Sequence, residues 1–121
     1  MKHRIERNQK LIVSTAEGFV TFAEIKDRQD RLLSDPDFNA DFDQLIDVTT
    51  ATDVAITAAE ARNIAERQIV SKESLRAFVA TRPHIYGLGR MMEAFHGTRA
   101  KAAVFYGMDA ALDWLKIKCA A

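Results

Sequence analysis

Leu45-Ile46-Asp47-Val48 is the stretch that decides the fold, because it is a compact apolar run of strand length interrupted by one acid. A helix signal stands on each side of it. Upstream, Thr21 and Glu24 have the Thr-x-x-Glu spacing of a capping box, which starts a helix. Downstream, Thr57 and Glu60 repeat that spacing. A buried strand between two capped helices predicts an α/β fold with parallel strands.

The segment before this strand predicts a hairpin and a helix. Residues 3–7 and 11–16 are short β-type runs separated by polar residues, which is typical of a hairpin. Gly18 marks a break before the first helix, whose charged, exposed face is predicted to include Arg28. Pro36 ends this helix, since proline disfavours helical angles in the residue before it.

The segment after the strand predicts two more strands and two more helices. A strand at 75–80 precedes a helix that Pro83 opens and Gly97 ends. A strand at 102–106 then leads to a last helix capped by Asp109. The order ββαβαβαβα, in one domain spanning residues 1–121, predicts a mixed, mostly parallel sheet covered by helices.

Four stretches of the chain together carry a family resemblance. They are Glu17-Gly18-Phe19-Val20-Thr21 before the first helix, Asp35-Pro36-Asp37-Phe38 leading to Gln44-Leu45-Ile46-Asp47, Ile85-Tyr86-Gly87-Leu88-Gly89-Arg90-Met91 in the third helix, and Asp109-Ala110-Ala111-Leu112-Asp113-Trp114-Leu115 at the end. In this order they resemble the SpoIIAA-like family, which includes anti-sigma factor antagonists and the cytoplasmic STAS domains of sulfate transporters. They look most like a bacterial subgroup of uncharacterised stand-alone domains. The resemblance implies a SpoIIAA-like fold and a regulatory or protein-interaction role.

Thr57 is a candidate helix cap or phospho-switch. The resemblance implies a switch, because the antagonists carry a phosphorylated serine at the matching position, within an Asp-Ser-Ser-Gly-type motif. This chain instead reads Ala55-Ile56-Thr57-Ala58 there. A threonine hydroxyl at the start of a helix also accepts a hydrogen bond from a free backbone N–H, so capping alone explains Thr57. We predict the cap and keep the switch as the alternative.

A candidate interaction edge lies where the predicted strands end. In open α/β sheets, ligands bind beyond the carboxyl ends of the strands, and the start of a helix favours anions. We expect Asp47 to hydrogen-bond to the loop that follows it, because an unpaired buried charge is costly. The edge comprises the start of the third helix, Asp47 and the predicted turn after the central strand: Arg82, His84, Tyr86, Arg90, Asp47, Thr49, Thr50, Thr52 and Asp53.

The chain contains no complete motif for catalysis, metal binding or nucleotide binding. The loop at Asp35 resembles the start of an EF-hand, but Ala40 and Ile46 stand where glycine and glutamate are needed. Glu93-Ala94-Phe95-His96 has the Glu-x-x-His spacing of di-iron sites without the second motif that such sites require. We therefore expect a protein that is not an enzyme and that uses no cofactor and no metal ion.

The charge balance and the single cysteine indicate the expected partners and compartment. Lysine plus arginine and aspartate plus glutamate both number 17, so the net charge is zero and nothing favours nucleic acid or an anionic membrane. No apolar run approaches the roughly 20 residues that cross a bilayer. Cys119 cannot form an intramolecular disulfide, and the N-terminal residues lack an apolar signal stretch. We expect a cytoplasmic protein.

Two functions are compatible with these observations. The first is a non-catalytic protein-interaction module that uses the candidate edge and forms a homodimer near the third helix, where Gly87, Gly89 and Met91 would admit a second copy closely. The second is a small apolar-ligand binding or carrier protein. In that case a stripe of large apolar residues lines a pocket instead of a solid core: Phe78, Tyr86, Met91, Met92, Phe95, Phe105 and Trp114.

Overall fold

The computed structural model describes residues 1–67, 69, 71, 73–96 and 101–116, and within them the chain forms five strands and four helices. The predicted element order, ββαβαβαβα, is confirmed. The elements are β1 (Lys2–Glu6), β2 (Leu11–Thr21), α1 (Phe22–Leu33), β3 (Asp43–Ala55), α2 (Ala58–Glu66), β4 (Leu75–Val79), α3 (Pro83–His96), β5 (Lys101–Phe105) and α4 (Met108–Leu115).

The strands form one mixed sheet in the order β1-β2-β3-β4-β5. β1 is antiparallel to β2, and the other neighbouring strands are parallel. A short 3-10 turn at Arg7–Gln9 joins the antiparallel pair. Each parallel pair is connected by a helix, because parallel neighbours require a crossover that returns the chain to the same end of the sheet. The predicted mostly parallel sheet, with β3 at its centre, is confirmed.

β2 and β3 continue as a two-stranded parallel ribbon beyond the rest of the sheet. β4 pairs with β3 only at residues 44–47, whereas β2 and β3 stay paired as far as Thr21 and Ala55. Gly18 does not break β2. It lies inside the strand with a φ of 66°, between two register shifts, where a bulge uses backbone angles that glycine adopts without strain. The predicted turn after the central strand is wrong, because residues 49–53 belong to β3.

Helices cover both faces of the sheet. One face packs on α4 through a cluster that includes Leu45, Ala77 and Val79. The opposite face packs on α1, α2 and α3. Successive side chains of a strand point to opposite faces, so Phe78 and Ala80 lie on the side of the three helices. The sheet is therefore the middle layer between one helix and three.

The buried face of α1 differs from the predicted one. Arg28 was expected on the exposed side but is only 4 % exposed, whereas Leu33 is 47 % exposed. Gln29 is also buried, so two polar side chains lie on the buried face of this helix. The prediction failed because the apolar stripe of this helix is interrupted, and packing against the sheet selected a face that includes Arg28.

The N-terminal caps of α1 and α4 also bear on the predictions. Thr21 caps α1, since its hydroxyl accepts a hydrogen bond from the backbone N of Glu24 at 3.2 Å. The predicted cap of α4 is wrong: Gly107 is the N-cap and makes no side-chain hydrogen bond, while Asp109 lies in the first turn. The predicted helix stop at Gly97, and Cys119, lie outside the described residues.

Gly89 of α3 lies directly against β5. A Cβ atom at this position would be 2.5 Å from Cγ2 and 2.9 Å from Cβ of Val104, which is closer than carbon atoms pack. The same atom at Gly87 would have no neighbour within 4 Å. Gly89 therefore allows α3 to approach its own sheet and is not available to admit a second copy of the chain.

We predict that Gly89→Ala lowers the free energy of unfolding by about 1–3 kcal/mol, because the added methyl overpacks the contact with Val104. Gly87→Ala is the matched control on the same helix. It should raise the free energy of unfolding by up to about 1 kcal/mol, because alanine is the better helix former and meets no neighbour. Denaturant unfolding measures both changes. Equal effects of the two substitutions would contradict the role given to Gly89.

Candidate functional site

The carboxyl ends of the strands bring the first turn of α3 against the β2–β3 ribbon. The Arg82 Nε atom donates a hydrogen bond to the carbonyl oxygen of Ala51 at 3.0 Å. The His84 Nε2 atom lies 3.5 Å from Oδ1 of Asp53. The structure thus brings three of the predicted edge residues, Arg82, His84 and Asp53, to the same end of the ribbon, although Asp53 lies in a strand and not in a turn.

Aromatic side chains continue this edge. The ring of Tyr86 stacks on Tyr106, which directly follows β5, with ring centroids 3.8 Å apart. Tyr106 is 57 % exposed. Phe19, which is paired with Asp53 in the ribbon, is 59 % exposed. Phe19 and Tyr106 were missed as edge residues, although both are large apolar residues close to predicted strand ends.

Asp47 and two threonines of the predicted edge support the central strand instead. Oδ1 of Asp47 accepts hydrogen bonds from the backbone N of Thr49 at 2.9 Å and from its hydroxyl at 2.7 Å. Asp47 therefore bonds to the residues that follow it, as expected, but these residues continue β3. The Thr50 hydroxyl donates to the carbonyl oxygen of Ala16 at 3.1 Å and ties the ribbon together.

The remaining predicted edge residues, Thr52 and Arg90, lie at its periphery. Thr52 is an exposed residue of the ribbon beside Asp53. Arg90 is exposed on α3, and its Nη1 atom lies 3.4 Å from Oε2 of Glu93. Arg90 thus pairs along its own helix and not with the ribbon.

Thr57 forms a complete capping box at the start of α2. Its hydroxyl accepts a hydrogen bond from the backbone N of Glu60 at 3.1 Å, and its own backbone N donates to Oε1 of Glu60 at 2.9 Å. The hydroxyl therefore satisfies one free N–H group of the helix and the glutamate satisfies another. The structure shows Thr57 as a cap, and the phospho-switch stays a prediction.

We predict that Thr57→Ala lowers the free energy of unfolding by about 1 kcal/mol through loss of the cap. Thr57→Ser and Thr57→Asp should change it by less, because serine and aspartate also accept the hydrogen bond from Glu60. Thermal and denaturant unfolding of the three variants measure the difference. An alanine variant as stable as the serine variant would show that the capping box contributes nothing.

A largely apolar cavity lies between the sheet and helices α1, α2 and α3. The space open to the centre of a water-sized sphere is about 80 Å³, several times the roughly 10–15 Å³ that one water requires. Its walls include Ile46, Phe78 and Val104 from the sheet, and Ile64 and Met92 from the helices. Of the described residues that line it, none is an aspartate or a glutamate.

The large apolar residues that the carrier hypothesis placed in one pocket lie in different parts of the structure. Phe78 and Met92 line the cavity, so this part of the stripe borders a pocket. Phe105 and Trp114 pack with α4 on the other face of the sheet, and their ring centroids are 5.6 Å apart. Tyr86 belongs to the exposed stack described above. The last two residues, Met91 and Phe95, pack in the cluster between α2 and α3.

Two buried arginines line the same cavity. Arg28 of α1 and Arg76 of β4 are each 4 % exposed. Nη1 of Arg28 donates to the Ser14 hydroxyl at 3.2 Å, while its buried Nε has no hydrogen-bond partner among the described residues. Burial, followed by the charges of Arg31 and Arg67, lowers the pKa of Arg28 to about 10. Burial and the charge of Arg28 lower the pKa of Arg76 to about 10. Both guanidinium groups therefore remain charged at neutral pH.

Two buried glutamines are neighbours of the arginines, one opposite Arg76 in the sheet and one after Arg28 in α1. Gln44 is paired with Arg76 in the sheet register and is fully buried, and neither its Nε2 nor its Oε1 atom has a described hydrogen-bond partner. Gln29 accepts a hydrogen bond from Nη1 of Arg67 at 2.8 Å. Sequence reasoning missed this polar cluster. One signal for it was available, because Arg76 interrupts an apolar strand just as Asp47 does.

The described residues offer little for other kinds of site. No three histidine, cysteine, aspartate or glutamate side chains in this part of the chain lie close enough to hold a metal ion. None of the helices described is long and apolar enough to span a bilayer. Glu93, the acid of the Glu-x-x-His spacing, accepts a hydrogen bond from the backbone N of Val104 at 2.5 Å and so joins α3 to β5.

The element order and the sheet define a SpoIIAA-like α/β fold. A similar solved structure is that of an uncharacterised protein from the DUF3478 family with a SpoIIAA-like fold from Shewanella loihica PV-4. The two chains are 21 % identical, the match covers 94 % of this chain and 92 % of the other, and the TM-score is 0.65. No family model and no curated protein matches the sequence. The expected SpoIIAA-like architecture is therefore confirmed at the level of the fold.

Proposed function

We propose that this protein is a non-catalytic binding module that holds a small, largely apolar molecule between its sheet and helices α1, α2 and α3. The cavity is the observation that carries this proposal. Protein interiors are close-packed, and voids larger than a water molecule are few. A cavity of about 80 Å³ bordered by Ile46, Phe78 and Val104 is apolar enough to favour an apolar guest, and its polar side chains are confined to α1 and β4.

The ionisable side chains of the cavity support a binding role over catalysis, and the α-amino group of Met1, which also lines it, lies 3.7 Å from Oε2 of Glu24. Among the described residues that line it, the ionisable side chains are Arg28 and Arg76. General acid–base catalysis works best with a group whose pKa is near the operating pH, and these guanidinium groups stay protonated there. They can bind an anion but do not exchange protons at neutral pH.

We also propose the cytoplasm as the compartment, because the single Cys119 has no partner for an intramolecular disulfide.

We predict that the purified protein binds 1-octanol, and that Ala80→Leu weakens this binding by about tenfold or more by filling the cavity. Ala80 is 1 % exposed and lines the cavity, so a larger side chain there occupies the guest's space. Titration calorimetry measures the affinity. The proposal would be contradicted if the folded wild type bound neither 1-octanol nor a charged probe with the same eight-carbon chain, or if a folded Ala80→Leu protein bound 1-octanol unchanged.

Ala77→Leu is the matched control for this experiment. Ala77 lies on the same strand but faces the packed cluster under α4, where it is fully buried. Leucine should therefore lower the free energy of unfolding by about 1–3 kcal/mol at Ala77 through overpacking, and by less at Ala80. Denaturant unfolding of the two variants tests whether the sheet is closely packed on the side of α4 and has unoccupied space on the side of the three helices.

A second candidate function, protein interaction through the edge, is favoured by the exposed aromatic residues there. Tyr106 and Phe19 are both more than half exposed, and Tyr86 stacks on the first of them. Aromatic side chains are enriched where proteins bind each other. We propose a second copy of this chain as the partner, because a net charge of zero leaves little long-range repulsion between copies.

We predict that light scattering at micromolar concentration detects a homodimer and that Tyr106→Arg dissociates it, because a charge replaces an exposed ring at the edge. Leu33→Arg is the control, since Leu33 is also an exposed large apolar residue but lies at the end of α1. It should leave the dimer intact. A monomeric wild type would refute the dimer, and equal effects of both substitutions would move the interface away from the edge.

A further inference from the structure

We propose that the ligand of the cavity is an organic acid with an apolar body, and that its carboxylate binds to Arg28. This inference rests on the ligand-binding function proposed above and adds the chemical class of the ligand. Three features of the cavity carry it: the free donor of Arg28, the sign of the charge around Arg28 and the apolar walls beyond it.

The first feature is the hydrogen bonding of Arg28. Its Nη1 atom donates to the Ser14 hydroxyl at 3.2 Å, which holds the guanidinium plane in place. Its Nε atom is buried and has no acceptor among the described residues. A guanidinium presents its donors as a planar fork that matches the two oxygens of a carboxylate. The Nε side of Arg28 therefore offers an oriented donor for such a group.

The second feature is the charge around Arg28. Arg76 lines the same cavity, and the charges of Arg31 and Arg67 also oppose the protonated form of Arg28. Asp27 and Asp30 pair with Arg31 and Arg67 and not with Arg28: Nε of Arg31 donates to Asp27 at 2.9 Å, and Nη2 of Arg67 donates to Asp30. Both pairs are exposed or partly exposed.

No described acid therefore forms an ion pair with Arg28. A buried charge is costly unless it is paired and hydrogen-bonded. An anion that enters the cavity would offset this cost, whereas a cation would add to it. The cavity thus selects for negative charge at the end where Arg28 lies.

The third feature is the rest of the cavity wall. Beyond the arginines and Gln29 the side chains of the lining are apolar, and they include Ile46, Phe78 and Met92. Apolar surface of a ligand gains free energy in proportion to the area removed from water, so a hydrocarbon body stabilises the complex while the arginine fixes its orientation. The combination describes an amphiphile with one acidic head.

The test compares three probes that share an eight-carbon chain: octanoate, 1-octanol and octylammonium. Titration calorimetry at neutral pH should give an affinity for octanoate that is about tenfold or more above that for 1-octanol, because the carboxylate brings a negative charge to the guanidinium whereas the hydroxyl is neutral. Octylammonium should not bind. If 1-octanol binds as tightly as octanoate, the acid class is overturned while the ligand-binding function stands. If none of the three binds, both are overturned.

Two variants of Arg28 and one control variant assign the preference to this residue. Arg28→Met keeps an unbranched side chain of similar length. This variant should still bind 1-octanol, and its affinity for octanoate should fall to about the same value as its affinity for 1-octanol. Lys26→Met is the control on the same helix, because Lys26 is exposed and is not among the charges that act on Arg28, and it should keep the preference. Arg28→Lys should restore part of it through charge alone, which also tests the site if the methionine variant does not fold. A full preference for octanoate in folded Arg28→Met would overturn the role of Arg28.

Discussion

The parallel pairing of β2 with β3 is the contact on which the other features of this protein depend. Its register places Ser14 beside Ile46, so that one strand holds the guanidinium of Arg28 while the next lines the cavity. Further along, the same pair extends beyond the sheet as a ribbon. At the start of α3, Ala51 of the ribbon accepts a hydrogen bond from Arg82, and the carboxylate of Asp53 lies beside His84. The cavity and the edge are therefore two consequences of one pairing.

The asymmetry of the two faces explains why the cavity lies on the side of the three helices. Alanine and valine of β4 pack closely under α4, and a single helix covers that side. On the opposite side, α1, α2 and α3 must all meet the sheet, and they do so over Phe78 and Arg76 with space left between them. Gly89 brings α3 into close contact with Val104 at one border of this space. The arginines lie at another border, where charge and apolar wall meet.

Local signals predicted much of the fold. The capping box of Thr57 and Glu60 depends on residues three apart, so the sequence alone locates the start of α2. The strand lengths and the place of Arg28 could not be predicted in this way. The ribbon forms because β2 and β3 pair with each other although α1 separates them in the sequence. The same long-range packing determines which face of α1 is buried. Arg76 is the exception, since a charge inside an apolar strand already indicates a special environment.

A crystal structure of the protein with octanoate tests the central claim most directly, because it locates both ends of the ligand. The account predicts that the carboxylate lies about 3 Å from the guanidinium of Arg28 and that the hydrocarbon chain lies against Phe78 and Met92. A carboxylate bound at the protein surface, with the space between the sheet and the three helices filled by the protein's own side chains, would contradict it.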